Sequence, residues 1–307
     1  MEKRLNRTDL GFSLAFLFML VIATGAFFYG VKVGTDRVQA ERLEAERSSK
    51  PLAQSAPNAY QQQDLVSFYH TVFLPYREFQ NEWFSARGEW NADPSADLSA
   101  SLKMLSKTAN AKYAKIKSAF VSPSSPLLKD AQTDYMKSLK LFSDSFANLA
   151  STANKGTTEQ LLQSLENQAF YTEGRKYALS GQNAYYTAML KWAATVNPDI
   201  PEDFKSPAVI ELARWKSMPL IIKNKVAVDY LSSHSLYADF LPHDLTARID
   251  QFIRSGQADK MKQTTVGSIA ELLTGTDAVR NGDFLGSKTM LYPNEQLPQL
   301  PFFIPDK

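Results

Sequence analysis

The polar and apolar positions divide the chain into three regimes. From Leu10 to Val31 there are 22 residues without a charge, enough for a helix about 33 Å long at about 1.5 Å per residue, matched to a hydrocarbon layer of roughly 30 Å. This predicts a transmembrane helix, a single-pass signal-anchor. Ala23, Thr24 and Gly25 offer small residues to a signal peptidase, but the apolar run continues past them to Val31, which favours a retained anchor over a cleaved leader. Lys3, Arg4 and Arg7 keep the 1–9 tail in the cytoplasm and place the long following domain on the outer face of the cell membrane.

Residues 32–63 form the second regime. Asp36–Arg47 alternates acid, base and good helix formers without apolar heptads, as a charged helical stalk does. Ser48–Gln63, rich in Ser, Pro, Ala and Gln, reads as a flexible linker.

Beyond it the apolar residues recur at steps of three and four, the helical period. Leu65, Phe68, Val72, Tyr76, Phe79 and Trp83 predict a first helix from Asp64, kinked at Pro75 and ended at Gly88. A second starts at Asp93-Pro94, and a third at Pro126 with the stripe Leu128, Ala131, Tyr135, Leu139, Phe142, Phe146, Leu149. A fourth follows the Thr157/Gln160 capping box, with Gly174 and Gly181 as interruptions. Short connections suit a four-helix bundle over 64–200. The remainder, 201–307, reads as a smaller helical subdomain with helices near 208–216, 219–232, 245–255 and 264–273, then an extended Pro-rich tail. The fold class is therefore all-α.

Composition narrows the function classes. The chain has no cysteine, which removes thiol catalysis, thiolate metal sites and disulfides. Its formal charge of +2 is matched by the first 33 residues, where Lys3, Arg4, Arg7 and Lys32 outweigh Glu2 and Asp9, so the rest of the chain is neutral. Nucleic-acid binding draws on phosphate neutralisation, and a neutral body argues against it. Thr264–Leu285 has helix-turn-helix spacing, but Arg280 is nearly its only base and Asp277 and Asp283 would face phosphate; two short packed helices explain it better.

His234, Asp239, His243 and Asp244 lie close in sequence without the spacing of a tight metal site, and Asp277, Asn281, Gly282 and Asp283 miss the calcium-loop pattern. Neither G-x-S-x-G nor S-x-x-K occurs. Trp83, Trp90, Trp192 and Trp215 could stack on a ligand, yet aromatics at helical spacing usually belong to a core. No metal, cofactor or catalytic set is expected.

The concrete interaction candidate is the tail. Leu297, Leu300, Phe302, Phe303 and Ile304 place five large apolar side chains in eight residues that prolines hold extended. Such a segment docks on the protein's own surface or on a partner. The expected function is a membrane-anchored, extracytoplasmic binding or scaffolding protein of the bacterial cell envelope, with the lipid bilayer and an envelope protein as partners. The alternatives are a ligand-sensing helical bundle acting through a partner subunit, or an enzyme of another class.

Overall fold

The computed structural model describes residues 60–304, and these are helical, with a single isolated bridge between Glu211 and Thr265 in place of any strand. The expected anchor at Leu10–Val31, its tail and nearly all of the stalk and linker lie outside the described residues. Among the described residues no helix is long and apolar enough to cross a membrane.

The first helix keeps going where proline should break it. Pro75 has no N–H to give to the carbonyl one turn back, and its ring crowds that carbonyl. The chain accommodates this by widening: α1 (Gln62–Phe68) passes into a π-helical turn (Tyr69–Phe73) and then α2 (Leu74–Ala92), with Thr71 Oγ1 bonding the Ser67 carbonyl at 2.8 Å. Gly88 does not end α2. A mid-helix glycine costs only about 1 kcal/mol, and Trp90 beyond it is buried with Nε1 on Ser101 Oγ at 3.0 Å. The helix stops at Ala92 because Asp93 precedes Pro94, which disfavours the α conformation. Nor does Asp93 open the next helix; its carboxylate takes the Ser95 N–H and O–H, while Asp97 caps α3 (Leu98–Lys117) through the Ala100 N–H at 2.9 Å.

The predicted stripe of α4 (Pro126–Ala150) is buried from Leu128 to Phe146. The capping box at Thr157 and Gln160 is formed and starts α5 (Thr158–Glu166). The interruption expected at the glycines falls instead at Asn167 and Gln168, and α6 (Ala169–Val196) runs unbroken through Gly174 and Gly181. Those glycines serve contact. A Cβ at Gly181 would sit 3.2 Å from the Ala131 carbonyl and the Tyr135 ring, so its absence lets α4 and α6 touch backbone to side chain. Gly174 offers its carbonyl to Ser138 Oγ at 2.8 Å.

The helices α7 (Leu212–Ser217), α8 (Leu220–Ser233), α9 (Pro242–Arg254), α10 (Gln257–Lys260), α11 (Val266–Gly275) and α12 (Asp283–Leu291) complete the fold. A second apolar core forms around Trp215, Leu245, Ile249 and Ile269, with Leu179 of α6 reaching into it. Leu220, Ile221, Val228, Phe284 and Phe303 belong to the bundle's core instead, and residues 60–304 lie in one compact unit. Within the segment of helix-turn-helix spacing, α11 and α12 each pack on α9.

Among the described residues, Gln62, Trp83 and Asn224 each carry a buried side-chain polar atom without a hydrogen-bond partner, and Asn224 carries two. Asn224 on α8 is fully buried, and neither its amide nitrogen nor its oxygen has a hydrogen-bond partner. An unsatisfied buried amide costs about 1–3 kcal/mol. Asn224→Leu keeps the branched shape without the polar atoms, and thermal unfolding should show a higher melting temperature; an unchanged or lower value would mean that the amide is satisfied in solution.

Candidate functional site

An apolar cavity of about 500 Å3 lies between α7, α8, α9, α11 and the 204–210 segment. Its walls are apolar: Ile210, Trp215, Val226, Leu245, Ile249, Val266 and Ala270. The indole wall is tied down by a specific bond. Trp215 is fully buried, and its indole N–H donates to Asp250 Oδ1 at 2.6 Å. Asp250 also accepts Lys223 Nζ at 3.0 Å on both oxygens and the Tyr292 hydroxyl at 2.6 Å, so three elements grip one carboxylate. Burial and this carboxylate raise the Tyr292 phenol, keeping it a donor.

The mouth is polar and internally paired. Asp229 accepts Asn183 Nδ2 at 2.7 Å, Ser206 Oγ at 2.6 Å and the Lys225 ammonium, which staples the 204–210 segment onto α6 and α8. The same segment meets α11 through Val266 N to the Ile210 carbonyl at 2.8 Å. With its carboxylate accepting three ways, Asp229 has few lone pairs left to offer a substrate. The arrangement can exclude water and hold an apolar group.

The residues singled out in the sequence are scattered relative to this cavity. His234 stacks on Tyr230 at 4.1 Å at the end of α8 and touches the mouth, Asp239 is exposed, and His243 and Asp244 are buried on α9. Among the described residues no three His, Asp or Glu side chains group closely enough to hold a metal ion. Trp83 lies in the bundle core against Trp90, Phe146 and Tyr171, whereas Trp215 lines the cavity. The cavity walls were not singled out in the sequence, because their apolar residues carry only a core signal.

The tail segment packs on the protein itself. Leu300, Phe302 and Phe303 are buried, Leu297 is half-buried and Ile304 is exposed. The tail is not extended throughout, since Pro301–Phe303 closes one 3-10 turn, and Lys288 Nζ donates to the Phe303 carbonyl. Phe302 meets Tyr69, Phe73 and His243 with ring centroids 5.4, 5.5 and 5.0 Å apart; Phe303 meets Phe284 at 5.5 Å.

His243 joins this tail to the bundle, since its Nδ1 lies 2.6 Å from the Tyr186 hydroxyl. Burial, with Arg77 adding repulsion, lowers its pKa to about 3. Neighbouring Asp244 is raised to about 6 by burial, although its carboxylate accepts the Leu241 and Phe284 N–H groups.

The two shifts act oppositely on stability. His243, depressed in the folded state, contributes stability that is present above its unfolded pKa of about 6.5 and lost as pH falls toward 3. Asp244, raised in the folded state, contributes stability present below about 3.9 and lost as pH rises through 6. Comparing wild type with His243→Gln removes the Asp244 contribution common to both. The variant should be less stable at pH 7 and should close that gap as pH falls to 4, measured by denaturant unfolding; a gap independent of pH would reject a neutral buried His243. No protein-family model, curated protein or solved structure matches this chain, so the functional reading rests on its geometry.

Proposed function

We propose that this chain is a membrane-anchored binding protein of the bacterial cell envelope that holds the apolar part of a ligand in the cavity between α7, α8, α9 and α11. The observation that carries the binding reading is the combination of size and lining. A cavity of about 500 Å3 falls within the range of about 300–1,000 Å3 usual for small-ligand sites, and its apolar walls with a few placed polar groups are typical of them. The polar groups at its mouth are bound to one another, which suits orientation and water exclusion better than proton transfer. The anchor and extracytoplasmic placement are supported by the uncharged Leu10–Val31 run and the basic residues before it.

Gly267 provides the test of binding, because it lines the cavity and a Cβ there meets no atom within 4 Å. Gly267→Phe should fill the space without disturbing the fold. With residues 56–307, anilinonaphthalene sulfonate should give saturable fluorescence that weakens at least tenfold in the variant at unchanged melting temperature. Equal binding by both proteins would remove the cavity from the reading.

Placement is tested separately through the absence of cysteine. Met104 is 66% exposed on α3, and Met104→Cys introduces a single thiol. A membrane-impermeant maleimide should label it in intact spheroplasts; labelling only after lysis would put the body in the cytoplasm.

A further inference from the structure

A second cleft, of about 520 Å3 and sharing no lining residue with the apolar cavity, gathers three arginines from distant parts of the chain: Arg87 of α2, Arg175 of α6 and Arg280 of the loop before α12. We propose that it binds a small anionic ligand that also carries hydroxyl or ammonium donors. The Arg87 guanidinium carbon lies 5.6 Å from the Trp83 ring centre and 5.8 Å from that of Phe84. A cation–π contact of this kind gives the N–H groups no hydrogen-bond acceptor. Among the described residues neither the Arg87 nor the Arg280 guanidinium donates a hydrogen bond or joins an ion pair, so two forks of donors in one cleft have no acceptor among them. Arg175 differs, being committed to Glu166 and to the Ser235 carbonyl at 2.9 Å.

Two carboxylates complete the set. Asp239 and Asp277 line the same cleft, on loops fixed from below. Gln80 Nε2 bonds the Ala238 carbonyl at 2.8 Å, Arg77 bonds that of Asp239, and Arg248 Nε bonds that of Ala278 at 2.9 Å. Asp277 itself stands at φ 50°, a conformation that L residues adopt rarely. Free guanidinium forks select an oxyanion by bidentate geometry, while carboxylates beside them repel a bare anion and accept from a donor on the same ligand. An acidic sugar and an amino-acid-type zwitterion both meet that description, and a simple anion does not.

The test uses the full-length protein in a non-ionic detergent at low ionic strength, titrated calorimetrically with glucuronate, glycylglycine and inorganic phosphate. At least one of the first two should bind saturably and at least tenfold more tightly than phosphate: glucuronate if the donors are hydroxyls, glycylglycine if they are an ammonium. Arg280→Gln, at an exposed loop position, should weaken that probe tenfold or more at an unchanged melting temperature, and Asp277→Asn should weaken it as well. Arg87 is kept intact because it covers Trp83. Absence of saturable binding by all three probes, phosphate binding best, or affinity indifferent to Arg280→Gln would each overturn the proposal.

Discussion

The closeness of α6 to α4 is the constraint on which the rest of the structure depends. Gly181 lets the two helices meet where a Cβ would come within 3.2 Å of the Ala131 carbonyl and the Tyr135 ring, and Gly174 turns its carbonyl to Ser138. Once α6 is seated, its other faces distribute the fold. Tyr171 and Tyr185 enter the bundle's aromatic core, Tyr186 holds His243 and through it the tail, and Leu179 crosses into the second core. Asn183 anchors Asp229 at the mouth of the apolar cavity, and Arg175 lines the cationic cleft. One helix of 28 residues thus reaches both cores, the tail, the mouth of the apolar cavity and the cationic cleft.

What could be read in the sequence follows the reach of each signal. The stripe of α4 and the capping box at Thr157 are local patterns with one structural answer, and both are present. The breaks were harder. Gly88, Gly174 and Gly181 have the composition of helix ends, yet tertiary contact overrides a penalty of about 1 kcal/mol each, and the real stops lie before Pro94 and at Asn167. Pro75 carried a kink in its residue type, but whether the helix would bend, break or widen into a π turn depends on the core beneath it.

The sites were less legible still. The apolar cavity is walled by residues whose pattern is that of any core, and only the spatial gap between α8 and α11 distinguishes them. The cationic cleft unites positions near 87, 175, 239 and 280, a juxtaposition that no one-dimensional pattern carries. The tail stood out because prolines and phenylalanines crowd into eight residues, but its groove, made by Tyr69, Phe73, His243 and Phe284, required the fold.

The lining of the cavity can be traced to α8. Its apolar residues face both cores, Leu220, Ile221 and Val228 toward one and Val226, Ala227 and Leu231 toward the other, so the helix is enclosed on nearly all sides. Enclosure buries Lys223 and Lys225 with it, and a buried ammonium without a partner would cost several kcal/mol. Each is therefore met by a carboxylate, Asp250 for Lys223 and Asp229 for Lys225. A carboxylate has more acceptor sites than one ammonium can fill. The remaining lone pairs take Trp215 and Tyr292 at Asp250, and Ser206 and Asn183 at Asp229. The indole wall and the pinned 204–210 segment are thus consequences of neutralising two lysines. The lining of this cavity is therefore fixed by charge compensation at Lys223 and Lys225.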